Sequence, residues 1–149
     1  MKKLLQEPPS GYSMVCPFLM VPDIEKEIEF LTIVFGCSIK EKLKGPDGNI
    51  HHAEIRIGEC VIMIGRSRPD FPDKSMNYVF VSDADEVYRT ALQHGASGLM
   101  EPADRFYGLR EGGFADKEGN QWWIATLVEN MTDEEMQKRA HSAEGFKSA

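Results

Sequence analysis

The strongest constraint on how this chain folds is that its pattern is written twice. Val21-Pro22-Asp23 closes an apolar segment and opens a helical pattern, and Val81-Ser82-Asp83 does the same 60 residues later. Each helical pattern stops at a glycine, Gly36 and Gly95. A Gly-polar turn then precedes a short apolar strand in both halves, Gly58-Glu59 before Cys60-Val61-Ile62 and Gly119-Asn120 before Gln121-Trp122-Trp123. Landmarks that recur in one order at spacings of about 60 residues mean two copies of a single supersecondary unit, because repeated patterning is repeated packing.

Periodicity spells out that unit. Met14 to Val21 is apolar and extended, with Pro17 limiting its pairing. Asp23 is placed to cap a helix whose Ile24, Ile28, Leu31 and Phe35 fall at helical spacing, with Glu25, Lys26, Glu27 and Glu29 on the wet side. Cys37 to Leu43 is a strand, Gly45-Pro46-Asp47-Gly48 a turn, Ile50 to Ile57 alternates, and Cys60 to Ile64 is a short buried strand. The first unit is therefore βαβββ. After a loop rich in Pro, Asp and Arg (Arg66 to Lys74), Met76 to Val81 is a strand. Asp83 to His94 follows as a helix with Val87, Ala91 and Leu92 inward, and then Ser97 to Met100 as a strand. Leu109 to Asp116 and Gln121 to Val128 form a hairpin. Thr132-Asp133-Glu134-Glu135 matches a capping box opening a terminal helix, followed by a polar tail.

The predicted class is α+β: two tandem βαβββ modules, about residues 12–66 and 75–129, forming a curved mixed sheet around a central cavity, with a C-terminal helix over about 132–140. A single domain over 1–149 is expected at this length. Strand alternation assigns Leu19, Val21, Val79 and Val81 to the helices. It leaves Met14, Cys16, Phe18 and Met20, and likewise Met76, Tyr78 and Phe80, facing the cavity.

Charge narrows the partners. Seventeen Lys and Arg stand against 24 Asp and Glu, a net −7 with no basic run, which disfavours nucleic acid and anionic membrane surfaces. The start, Met1 to Leu5, begins like a signal peptide, but Gln6, Glu7, Pro8 and Pro9 interrupt it, and no apolar run reaches the ~18 residues of a membrane span. A cytoplasmic protein is expected. Cys16, Cys37 and Cys60 lack Cys-x-x-Cys spacing and read as reduced, mostly buried thiols.

The doubled βαβββ plan, the Val-x-Asp strand ends, the stretch Glu101-Pro102-Ala103-Asp104-Arg105-Phe106-Tyr107-Gly108-Leu109-Arg110 and the ending Gln121-Trp122-Trp123-Ile124-Ala125-Thr126 resemble the vicinal oxygen chelate superfamily. Within it, the likeness is to the PhnB-like branch of the glyoxalase/bleomycin resistance proteins, over about residues 12 to 130, with one departure: Asp116-Lys117-Glu118-Gly119 stands where Asp-Pro-x-Gly is usual. The resemblance implies a divalent cation held by four His or Glu side chains, one from a strand in each quarter of the cavity. Carried across, those places fall on Cys16, Glu54, Met76 and Trp123, of which Glu54 alone is a hard ligand. The expectation is therefore no metal and no other cofactor. His52, on the same strand face as Glu54, is the residue placed to add a second ligand.

The residues expected to line a ligand site are Cys16, Phe18, His52, Glu54, Arg56, Met76, Tyr78, Phe106, Tyr107, Arg110 and Trp123. Cys16 also reads as a small buried hydrophobe, Glu54 as half of a local ion pair with Arg56, and the Arg105 to Arg110 bend as a structural turn. Trp122 and Trp123 point to opposite faces, one under the helices and one into the cavity. Three functions stay open. The first is a metal-independent small-molecule binder, as antibiotic-binding relatives are. The second is a lyase, isomerase or ring-cleaving dioxygenase, with Glu54 as the best candidate for a catalytic base. The third is a non-catalytic regulatory or interaction protein. A homodimer is expected by analogy with the family.

Overall fold

Asp23 and Asp83 open the two long helices as their spacing predicts. In the first module of the computed structural model, which describes residues 8–142, the order is β1 (Phe18–Val21), α1 (Ile24–Phe35), β2 (Ser38–Lys44), β3 (Ile50–Ile57) and β4 (Cys60–Arg66). The Asp23 side chain accepts the Lys26 N–H at 3.1 Å, and Gly36 closes the helix with its own N–H on the Thr32 carbonyl at 2.9 Å. The strands form one sheet in the order β1-β4-β3-β2, with β1 parallel to β4 and the other pairs antiparallel. Leu19, Val21, Ala53, Ile55, Ile62 and Ile64 are buried on its helix side, with Ile24, Ile28, Leu31 and Val34 of α1. Each Val, Leu or Ile among them contributes roughly 1.5–3 kcal/mol by leaving water.

Three local expectations are corrected here. Glu27 is buried rather than on the wet face, because it falls three residues after Ile24 and four before Leu31, inside the inward arc. Val34 takes the deep position expected of Phe35, which is half-buried. β1 covers only the end of the expected Met14–Val21 strand, since Pro17 has no N–H to donate, although its carbonyl still accepts from Met63 at 2.9 Å.

The second module repeats the plan: β5 (Met76–Phe80), α2 (Ala84–Gln93), β6 (Ser97–Asp104), β7 (Leu109–Ala115), β8 (Gln121–Leu127), then α3 (Asp133–Ser142). Its sheet order is β5-β8-β7-β6, again with the first pair parallel. Asp83 caps α2 through the Glu86 N–H at 3.0 Å, and Thr126 of β8 takes the Ala84 N–H at 2.9 Å. Here the helix contributes small side chains, Ala84 and Ala91, while the sheet supplies the bulk through Trp122, Phe114 and Ile124, all fully buried. Leu92 is exposed rather than inward, and Val87 is half-buried. β6 runs beyond the expected Met100 to Asp104 because it is an edge strand, where Pro102 and a register irregularity between Met100 and Ala103 are tolerated.

The tandem βαβββ plan and terminal helix are as predicted, with hydrogen bonding forming two mixed sheets, one per module, where the sequence predicts a continuous one. The ladders match register by register: Phe18 pairs with Met63 as Tyr78 pairs with Trp123. The interrupted start at Met1–Glu7 and the tail from residue 143 lie outside the described residues. Among those described, no helix is long and apolar enough to cross a membrane.

Candidate functional site

In the first module, Phe18, Met20, Met63, His52, Glu54 and Arg56 share the sheet face away from α1, as their pairing partners require. Glu54 is 5% exposed and accepts three hydrogen bonds: from Tyr12 Oη at 2.5 Å, Lys40 Nζ at 3.1 Å and His52 Nε2 at 3.3 Å. Lys40 also donates to Tyr12 Oη at 2.5 Å, and its ammonium lies 4.1 Å from the centre of that ring. Burial alone would push Glu54 up, but the bonds from Tyr12, Lys40 and His52 outweigh it and hold the carboxyl below its usual range. Tyr12, and then Glu54, hold Lys40 above the usual lysine value.

These contacts fasten a strap. The Tyr12 N–H bonds the Pro9 carbonyl at 3.1 Å in a turn, and Arg56 Nη1 holds the Gly11 carbonyl at 3.1 Å. The expected Glu54–Arg56 ion pair is therefore replaced: the two side chains grip the same N-terminal segment at neighbouring points. Beside the strap a cleft of about 550 Å³ opens, lined by Phe18, Met20, His51, His52, Gly65, Arg66, Arg68, Phe71, Pro72 and Lys74. His52 belongs to both features, bonded to Glu54 and tilted against Phe18 with ring centroids 5.8 Å apart.

The second module presents Met76, Tyr78, Phe80, Trp123 and Glu111 on the equivalent face. Tyr78 and Tyr107 each donate to a different oxygen of Glu111. Burial, reinforced by that carboxylate, pushes Tyr107 up to about 12 and Tyr78 well above its usual value. Trp123 lies flat over Gly113, where an added Cβ would stand 2.8 Å from the indole. Phe106 and Tyr107 stack edge to face at 4.9 Å in the turn that Gly108 closes with φ 83°. That turn is tied to α3 by Arg139, which reaches the Phe106 carbonyl at 3.2 Å while paired with Glu129 and Glu135.

Of the predicted site residues, the first module brings Phe18, His52, Glu54 and Arg56 onto one face. Cys16 precedes β1, half-buried, its thiol 3.6 Å from the Ser13 carbonyl. The second module brings Met76, Tyr78 and Trp123 onto one face, with Tyr107 joined to Tyr78 through Glu111 and Phe106 stacked beside it. Arg110 stands apart. Strand alternation turns it to the helix side, where Asp85 accepts from Nε and Nη2 at 2.5 and 2.9 Å and Asp104 from Nη1 at 3.2 Å. Tyr12, Lys40, Phe71, Lys74, Glu111 and Arg139 were not predicted. Glu111 was findable, since it alternates with Arg110. Lys40 was not, because it is the extra residue at a register shift between Ile39 and Glu41.

Among the described residues, no three His, Cys, Asp or Glu converge as a metal-binding group. The matched registers also place Met63 on β4, not Glu54 on β3, at the position equivalent to Trp123.

A family model described as the Glyoxalase/Bleomycin resistance protein/Dioxygenase superfamily matches residues 13–124. An uncharacterised protein of Mycobacterium bovis is 29% identical over 141 residues, covering 87% of this chain and 92% of that protein. The crystal structure of TioX from Micromonospora sp. ML1 aligns with a TM-score of 0.62 at 27% identity, covering 80% of this chain and 100% of that one. A glyoxalase-related enzyme from Fulvimarina pelagi shares the fold at a TM-score of 0.62 and 16% identity, over 75% of this chain and 86% of that one.

Proposed function

Because this chain belongs to the glyoxalase/bleomycin resistance protein/dioxygenase superfamily, we propose that it is a small-molecule-binding protein whose inherited metal site is degenerate. The observation that carries this reading is the state of Glu54. The one hard ligand among the four places the resemblance implies is already engaged by Tyr12, Lys40 and His52, next to a cleft with apolar walls. The other places offer a half-buried thiol at Cys16, a thioether at Met76 that is 69% exposed, and an indole N–H at Trp123 that donates to Gln121 at 3.1 Å. Taking Met63 in place of Glu54 removes the last carboxylate. Such a donor set does not fit a hard divalent cation, so no chemical step runs through one. Glu54 is also a poor general base. Proton abstraction near neutral pH wants a carboxylate raised toward 7, and this one is held low beside a lysine.

The chain's own residues are equipped to bind instead. Phe18, Met20 and Phe71 supply apolar wall and His52 an orienting polar edge. The Arg105 to Arg110 block supports placement in the PhnB-like branch, and free thiols suit the reducing cytoplasm. Protein purified without chelator is expected to carry no stoichiometric transition metal by elemental analysis; one metal per chain would overturn this reading. A thermal-shift screen of aromatic antibiotics and small carboxylates is expected to find a stabilising compound. At a hundred times its Kd a ligand adds about 2.7 kcal/mol, so a screen with no shift would favour the non-catalytic regulatory role.

The reading includes a homodimer. Met76 and Phe80 are 69% and 71% exposed on the second module's open face, apolar surface that a second copy would cover. Light scattering at micromolar concentration is expected to give twice the chain mass, and a monomer would remove this part.

A further inference from the structure

The cleft of the first module carries a charge pattern that marks its ligand. The chain has 24 acidic side chains against 17 basic ones, yet no Asp or Glu lines this cleft, whereas Arg66, Arg68 and Lys74 do. Arg68 is neutralised where it stands: Nε and Nη2 donate to Asp70 at 3.1 and 2.8 Å, and the guanidinium lies 4.9 Å over the Phe71 ring. The histidines are spoken for as well, His51 by Asp47 and His52 by Glu54. Arg66 follows Ile62 and Ile64 on β4 and pairs with Val21, so strand alternation starts its side chain toward the helix side, where it lines a second hollow with Asp23 and Glu25. Lys74 is different: it forms no ion pair among the described residues. Asp73, the remaining acid of the loop, lines the adjoining hollow instead.

One uncompensated cation, Lys74, thus borders a cleft walled by Phe18 and Phe71, on a protein whose net charge of −7 repels anions elsewhere. A cationic guest meets repulsion at that rim. A neutral one gains from the rings but leaves the cation unused. We propose that the cleft takes a flat apolar compound bearing one anionic group, of the aromatic carboxylate type, with its ring against Phe18 and Phe71 and its charge toward Lys74. This rests on the small-molecule reading above and names the ligand class of that same site.

The test uses the full chain and three probes with one ring system: 1-naphthoate, 1-naphthalenemethanol and 1-naphthylmethylamine, titrated by calorimetry at low salt. Naphthoate is expected to bind about fivefold or more tighter than the alcohol, and the amine weakest of the three. The Lys74→Gln protein, altered at an exposed position, should bind naphthoate and alcohol within about twofold of each other, as should the wild type in 0.5 M salt. Phe71→Ala should weaken both by a similar factor, which places binding in this cleft. Equal binding of naphthoate and alcohol by the wild type, an unaltered Lys74→Gln protein, or a Phe71→Ala protein that binds as before would each overturn the proposal. So would no binding of any probe. The broader small-molecule reading fails separately, if no compound of any class stabilises the protein in the thermal screen.

Discussion

Trp122→Ala is expected to destabilise the protein by ~3–5 kcal/mol, measured as a fall in the urea midpoint with little change in slope. Trp122 is the largest fully buried side chain, and the fully buried residues of α2 are alanines, so filling the space would require neighbouring side chains to shift. The substitution also takes the indole N–H from Asp116, which it reaches at 3.1 Å and which is itself 5% exposed. A typical domain has about 5–15 kcal/mol in total, so the variant should sit near its unfolding threshold at physiological temperature. Trp122→Phe restores most of the volume without the N–H and should recover more than half of the loss. Trp123→Ala, one residue on and on the open face above Gly113, should cost far less. Equal losses at the two tryptophans would contradict the assignment of faces.

Lys40→Met is expected to destabilise the protein at neutral pH, read as a lower urea midpoint, because it leaves a carboxylate that is 5% exposed without its cation. The methionine keeps the length of the stem, so packing changes little. The sign of the pH dependence separates this from a packing defect. In the folded protein Glu54 is held below its ordinary value of about 4.3, so it contributes stability above that pH and loses it as pH falls through the folded value. Without Lys40 the folded value rises, and a protonated Glu54 needs no cation. The gap between variant and wild type should therefore be widest near pH 7 and should narrow as pH drops into the carboxylate range. A gap independent of pH would mean that Lys40 acts through its stem alone. Tyr12→Phe, which removes another of Glu54's donors, should move stability in the same direction by less.

The faces of the candidate site were partly legible in the sequence. Phe18, His52, Glu54 and Arg56, and in the second module Met76, Tyr78 and Trp123, follow from strand alternation, a period of two that survives any detail of packing. Arg110 failed because a block of adjacent residues was read as one rim. Adjacent strand residues face opposite ways, and Arg110 went to Asp85 on the helix side. The partners of Glu54 failed for another reason. Arg56 was nearest along the strand, but Tyr12 is separated from Glu54 by 42 positions and arrives through a turn at the N-terminal end.

Taken alone, the sequence determined what depends on local period and on punctuation. These are the two βαβββ modules, the aspartate caps and the opposite faces of Trp122 and Trp123. Tertiary structure decided which charges meet. Lys40 is aimed at Glu54 by a register shift, and the Arg66 to Lys74 loop folds into a cleft wall with Arg68 satisfied and Lys74 left open. Pairing of charges depends on distances between residues far apart in the chain, and no local period carries that information.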